Sequence, residues 1–281
     1  MRVTVIKLLL IGSLSLTLGG CETLGGFFSD TDSASKEDEY ANWTIEKFRQ
    51  EAKKAVSDGA YDKGIKIYEA LESRYPFGES SAQTQLDVAY AYYKNGDPES
   101  ALAAADRFIK ANPRDSAVDY AYYLKGLINY NRDISFIDRY LPTDTSQRDV
   151  SSANIAYSSF EELVRKYPNS KYVPDAWQRM IALKNNRAMH EVHIARYYLK
   201  RKAYVAAANR ASGVIENYQK TPAVPFALQV MQEAYTQLGL KELASDAKRV
   251  YEQNFPKGPP VVELQNATLS HRLWNFIGLD K

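Results

Sequence analysis

The sequence of 281 residues holds one cysteine, Cys21, and three histidines. A single thiol forms no intrachain disulfide and supplies no structural zinc set. Charge of one sign is missing too: 36 basic residues stand against 34 acidic ones, a formal net charge of +2, with no Lys/Arg block to upset the balance locally. Without a basic field there is nothing to drive counterion release, so nucleic acid is not expected as a partner. No apolar run reaches the ~20 residues that span a bilayer core. No stretch of strict alternation marks a strand, and no Gly-x-Ser-x-Gly elbow, phosphate-cradling loop or Cys-His pair marks an active site. His190 and His193 flank Glu191 three residues apart. The zinc-protease pattern needs its histidines four apart, so that both face one metal from adjacent helical turns. We therefore expect a solvated or locally hydrogen-bonded pair, no metal, no enzyme and no diffusible cofactor.

What is present begins with a basic start (Arg2, Lys7), an apolar run from Leu8 to Leu18 broken by Gly and hydroxyl residues, and Gly19-Gly20-Cys21. This is the pattern of a secretory signal, residues 1–20. Leu18-Gly-Gly-Cys21 resembles the lipobox of bacterial lipoproteins, which makes Cys21 the first mature residue and the carrier of N-acyl and S-diacylglycerol lipid. Glu22 follows, where inner-membrane retention asks for Asp, so the resemblance points to the outer membrane. Loss of Arg2 and Lys7 brings the basic residues level with the 34 acidic ones. Residues 21–41, rich in Gly, Ser, Thr and acid, read as a flexible tether of roughly 25 Å root-mean-square reach. Phe27 and Phe28 are its candidate interfacial residues.

The rest repeats. Gly59 and Gly96 each separate two helical patterns and lie 37 residues apart; Pro76 and Pro113 close the following helices at the same interval. Phe48, Ala52, Ala55, Gly64, Tyr68 and Leu71 in the first unit answer to Val88, Ala89, Tyr92, Ala101, Ala105 and Phe108 in the second. Small residues fall where two helices touch and larger ones where hairpins stack, the arrangement of tetratricopeptide (TPR) repeats. A third unit runs from Tyr122, Gly126 and Asn129 to Ala156, Phe160, Leu163 and Pro168. A fourth uses Ile194, Ala195, Tyr198, a turn near Lys202, then Ala207, Ala211 and Val214. A fifth holds Met231, Tyr235, Gly239, Ala244, Tyr251 and Pro256. The expected fold is an all-α, TPR-type solenoid of about five repeats over residues 42–256: about 42–77, 80–113, 116–168 with an insertion at 132–151, 174–220 and 222–256. The stretch from Pro174 to Lys184 should lengthen the first helix of unit four. Residues 257–281 open with Lys-Gly-Pro-Pro and carry Leu269, Leu273 and Phe276 at helical spacing, which suits either a capping helix or a partner-binding one.

In a TPR hairpin the first helix lines the concave side. Fixing the register on Gly96 places Leu86, Tyr90, Tyr93 and Lys94 there, and the same register in unit three gives Tyr120, Tyr123, Leu127 and Tyr130. Tyrosine offers apolar area with a polar tip at small entropic cost, so this wall suits capture of extended aromatic segments. The same rings would also serve merely to fill the superhelix.

Arg74-Tyr-Pro-Phe-Gly78, Tyr90-Ala-Tyr-Tyr-Lys-Asn95, Asp106-Arg-Phe-Ile109, Tyr167-Pro-Asn-Ser170 and Asn209-Arg210 resemble the BamD (ComL-type) lipoprotein family, in order, from Cys21 to about Pro256. The resemblance implies a non-catalytic, lipid-anchored subunit of the β-barrel assembly machinery, facing the periplasm from the outer membrane. It implies two partners, the POTRA portion of the barrel subunit BamA and the C-terminal aromatic signal of unfolded outer-membrane proteins; other Bam lipoproteins stay open. Carried over by position, Arg74, Tyr75 and Phe77 join the tyrosine groove as the client surface, and Arg210 belongs to the BamA-facing region. The competing expectation is a generic TPR scaffold of the cell envelope that binds peptidoglycan-associated or division proteins. A murein hydrolase would need a second, lysozyme-like domain, for which no residues are left.

Overall fold

The computed structural model describes residues 39–76, 79–132, 146 and 151–260, with the side chains of 79 and 80 left aside. The signal, Cys21, most of the tether with Phe27 and Phe28, Phe77, most of the insertion and the helical pattern beyond residue 260 lie outside the described residues. Two compact units divide the chain, Met1–Thr44 and Ile45–Lys281. In the first, the rings of Tyr40 and Trp43 meet edge to face with centroids 4.8 Å apart.

Among its described residues the second unit is built of helices alone, paired as hairpins: α1 (Ile45–Ser57) with α2 (Tyr61–Arg74), α3 (Glu79–Asn95) with α4 (Pro98–Ala111), α5 (Val118–Asn131) with α6 (Ser151–Lys166), α7 (Val173–Lys200) with α8 (Tyr204–Asn217), and α9 (Val224–Gln237) with α10 (Lys241–Asn254). Each helix packs mainly on its neighbours in sequence, and first helices of successive hairpins also touch, α1 on α3, α3 on α5 and α7 on α9. That is the one-dimensional stacking of a TPR-type α-solenoid.

The turn inside a hairpin is one motif used four times. The N–H of Ala60 donates to the Ala55 carbonyl, Asp97 to Tyr92, Ala203 to Tyr198 and Leu240 to Tyr235. Each such pairing needs the preceding residue in the left-handed region, where Gly59 (φ 79°), Gly96 (φ 80°), Lys202 (φ 61°) and Gly239 (φ 75°) sit. Glycine takes that conformation freely because it has no Cβ; Lys202 takes it against a penalty of roughly 1–2 kcal/mol. Between hairpins a second motif recurs: the N–H groups of Asn112, Tyr167 and Tyr218 close α4, α6 and α8, and Asp115, Ser170 and Thr221 each donate back to them. Pro113 and Pro168 follow the first two of these caps, and Gln219 makes the same turn without proline.

Phe48, Phe108 and Phe160 are at most 1 % exposed, and burial of each contributes about 2–3 kcal/mol. The helices cross closely where a side chain is missing: a Cβ on Gly126 would lie 2.4 Å from the Phe160 ring. Two apolar clusters share the long helix α7. Ala176, Met180 and Leu183 of its first half join Phe160 and Leu163. Ala188, Val192 and Ala195 of its second half join Ala207, Ala211 and Ala227. At 28 residues, or about 42 Å, α7 is long enough to carry both. Ser146, in the insertion, is buried: His190 Nδ1 lies 2.7 Å from its carbonyl, which accepts, and His193 Nε2 lies 3.0 Å from its hydroxyl. The two histidines are thus engaged by the insertion.

Candidate functional site

The amphipathic period of α3 puts Asp87, Tyr90 and Lys94 on one face, opposite Lys53, Val56 and Ser57 of α1. Tyr61 and Tyr68 of α2 close the floor, leaving an open cleft of about 420 Å³. Tyr90 is 37 % exposed, whereas Tyr68 is almost fully buried. The Lys94 ammonium stands 6.0 Å from the centre of the Tyr61 ring. Asp87 is the unusual member. Its Oδ1 accepts from Gln83 Nε2 at 2.7 Å, while its Oδ2 is closed off from solvent, with the Tyr68 phenol facing the carboxyl. Burial holds the Asp87 carboxyl above the usual aspartate range, opposed by the Gln83 hydrogen bond, the charges of Lys53 and Arg49 and a hydrogen bond with the Tyr68 phenol. Burial, then Asp87, pushes the Tyr68 phenol up.

The tyrosines of α5 have a different fate. Tyr123 stacks on Tyr172, centroids 4.7 Å apart and planes 13° from parallel, and its hydroxyl donates to Asp175 Oδ2 at 2.7 Å. Asp175 in turn pairs with Arg179 at 2.6 Å, and that guanidinium lies 5.0 Å over the Tyr130 ring. The pairing with Arg179 and Tyr123 outweighs partial burial and lowers the Asp175 carboxyl. Burial, then Asp175, pushes the Tyr123 phenol up to about 12. Tyr120 meets Tyr172 at 5.4 Å, and burial followed by Tyr90, Tyr172 and Asp87 raises its phenol well above the ordinary value. Tyr130 also meets Phe160 edge on at 6.3 Å.

The tyrosine wall read from sequence is therefore two structures. Tyr90 and Lys94 line the cleft. Tyr120, Tyr123, Leu127 and Tyr130 pack on the apolar cluster shared by hairpins two to four, and Tyr123 and Tyr130 are held by α7 as well. Leu86 corrects the expectation outright: at 4 % exposure it belongs to that cluster, against Phe108 and Val118, and lines no groove. Tyr93 is half-buried, and its hydroxyl accepts from Asn131 Nδ2 at 2.6 Å. Arg74 lies over the Phe48 ring at 5.7 Å, and Tyr75 caps α2 through its N–H. Lys53, Tyr61, Tyr68 and Asp87 were missed. A signal for Asp87 was available: it is a lone acid inside the apolar run Leu86-Asp87-Val88-Ala89.

A second, polar cleft of about 410 Å³ lies between α7 and α8, lined by Arg187, Glu191, Asn209, Arg210, Asn217 and Tyr218 among others. Arg210 pairs with Glu191 at 2.9 Å and keeps 47 % of its side chain exposed. The ion pair holds the guanidinium over α7 and leaves it accessible from outside.

Among the described residues, helical hairpins in which each helix packs on its neighbours in sequence define a helical-repeat protein of the tetratricopeptide class. The outer membrane lipoprotein family model (YfiO) matches residues 42–250. The chain is 44 % identical over 253 residues to the outer membrane protein assembly factor BamD of Neisseria meningitidis serogroup A, covering 90 % of this chain and 92 % of that one. It is 39 % identical over 204 residues to the BamD of Vibrio cholerae, covering 73 % and 85 %. With the BamD of Haemophilus influenzae it shares 35 % over 261 residues, covering 93 % and 95 %. The chain belongs to this outer membrane lipoprotein family, of BamD type. No helix among the described residues is long and apolar enough to cross a membrane.

Proposed function

We propose that this chain is a non-catalytic assembly factor for outer-membrane β-barrel proteins. An acylated Cys21 anchors it to the outer membrane, facing the periplasm. The cleft between α1 and α3 receives the C-terminal aromatic signal of unfolded clients. The surface around Arg210 holds the POTRA portion of a BamA-like barrel subunit. Family membership supports the assembly role, since the relatives bear that name. The observation that carries the client reading is the cleft itself, where Tyr61 and Tyr90 offer ring faces and Lys53 and Lys94 offer cations. An aromatic residue bearing a free carboxylate matches both chemistries.

Fluorescence anisotropy with a labelled peptide ending in Phe tests the reading. Tyr90→Ala should weaken binding by about tenfold, the scale of a truncated aromatic contact, with helicity unchanged. Unchanged affinity would remove the cleft from the account. Affinity purification from membranes should recover a barrel subunit with the wild-type chain and less of it with Arg210→Glu.

A further inference from the structure

The turn inside hairpin four departs from its sister turns in chemistry. Where hairpins one, two and five place glycine in the left-handed position, hairpin four keeps Lys202 there at φ 61°. Strain kept at an exposed side chain calls for a reason outside packing. Lys202 completes a run of three exposed cations, Lys200-Arg201-Lys202, and none of them has an ion-pair partner among the described residues. No acid lies between Glu191 and Glu216 to offset them, whereas the corresponding turns of hairpins one and two carry Asp58 and Asp97.

Apolar surface stands beside the charge. Tyr197, one turn before Arg201 on α7, is 57 % exposed, and Val205, in the first turn of α8, is 59 % exposed. Short connections make α7 and α9 run the same way, so the turn of hairpin five emerges on the same side; Tyr198, Tyr204 and Tyr235, which flank the two turns, share one apolar cluster. That second turn adds exposed Leu238, Leu240 and Leu243, with the charges of Lys241 and Glu242 cancelling. Protein interfaces are depleted in lysine at their centre. Cations interleaved with tyrosine and aliphatic side chains suit instead the headgroup layer of an anionic membrane. We propose that the turns of hairpins four and five form a membrane-contact surface: Lys200, Arg201 and Lys202 meet the phosphates of anionic phospholipids, while Tyr197 and Val205 enter the headgroup layer between them. The balanced total charge of the chain supplies no general attraction, so this local run carries it. The contact is separate from the proposed acyl anchor, which brings the surface within reach of the bilayer, and it decides which side of hairpins four and five faces the lipid.

The test uses the mature chain from residue 21 with Cys21→Ser, which removes the acyl anchor and leaves no cysteine. Sedimentation with vesicles measures partitioning. The protein should bind vesicles of phosphatidylcholine mixed with phosphatidylglycerol, bind poorly to phosphatidylcholine alone, and be released as salt rises. Lys200→Gln/Arg201→Gln/Lys202→Gly should lower partitioning by roughly a hundredfold, about fivefold per cation. Glycine at the third position also relieves the strained backbone, so a weakened fold does not mimic the loss. The same number of charges removed from hairpin one, as Lys54→Gln/Lys63→Gln/Lys66→Gln, should leave partitioning unchanged. An environment-sensitive fluorophore on Tyr197→Cys should shift to the blue on anionic vesicles, and the same label on Asp58→Cys should not. Equal losses in the two triple variants, or a label at position 197 that stays in water while the protein is bound, would overturn the proposal. Absence of binding to anionic vesicles by the Cys21→Ser chain would overturn it too and leave the patch to a protein partner. Neither result bears on the anchor or the client reading, because the assay contains no acyl group and no peptide.

Discussion

The cleft between α1 and α3 and the contact between α5 and α7 are made of the same residue types, tyrosine and aspartate, yet they end in opposite states. At the α5–α7 contact the groups form a chain: Tyr123 donates to Asp175, Asp175 holds Arg179, and Arg179 covers the Tyr130 ring. In the cleft, burial beside Gln83 and Tyr68 holds the Asp87 carboxyl above its usual range, and Tyr90 turns a ring outward. The first is an adhesive joining hairpins three and four. The second leaves Tyr90, Lys53 and Lys94 lining an open cleft. Residue type alone therefore does not separate a tyrosine that joins hairpins from one that lines a cleft; what separates them is whether the next hairpin supplies the partner.

The comparison can be broken most forcefully at Phe160, on which Tyr123 and Tyr130 both rest. Phe160→Ala should cost about 3–5 kcal/mol in urea unfolding and detach the α5 tyrosines. Next in size is Gly126→Ala, which drives a Cβ into the same ring and should cost roughly 1–3 kcal/mol. The contrasting variant is Gly213→Ala in α8, where nothing lies within 4 Å of the new Cβ. It should stabilise by about 0.5–1 kcal/mol in the same measurement, since alanine is the better helix former. Lys202→Gly, in the turn after α7, serves as a control; relief of its left-handed backbone should raise stability by about 1 kcal/mol and leave peptide affinity unchanged.

The smallest effect has opposite signs in the two regions. Asp175 has its folded pKa lowered, so it contributes stability above the ordinary aspartate value and loses it as pH falls through the lowered one. Asp87 has its folded pKa raised, so ionisation destabilises the fold, and that penalty lifts as pH falls through the raised value. Against wild type at neutral pH, Asp87→Asn should unfold at higher urea and Asp175→Asn at lower urea. Each difference should shrink toward zero once the pH drops below both of that residue's pKa values. Equal signs would mean that the two acids sit in equivalent surroundings.

The repeat itself was legible because its punctuation is local. Gly59, Gly96 and Gly239 announce the left-handed turn through their own backbone needs, and Pro113 and Pro168 mark helix ends by the N–H they do not have. Lys202 hides the same turn behind an ordinary side chain. Side-chain partners are another matter. Leu86 lies on the face that the register of α3 assigns to a groove, but Val118 and Phe108 claim it from the next helices. Tyr123 finds Asp175 across 52 residues, and no periodicity within α5 announces that. The cleft was half legible: Tyr90 and Lys94 followed from register, while Tyr61 and Tyr68 come from a second helix that was assigned only to packing.

The most direct test of where clients bind is a pair of photocrosslinking sites on the purified protein. One photoreactive residue replaces Ser57, on the rim of the cleft; the other replaces Ile181, 56 % exposed on α7. A peptide ending in Phe should label the position of Ser57 and leave that of Ile181 unlabelled, with the label competed away by unlabelled peptide. Labelling at Ile181 with none at Ser57 would contradict the account.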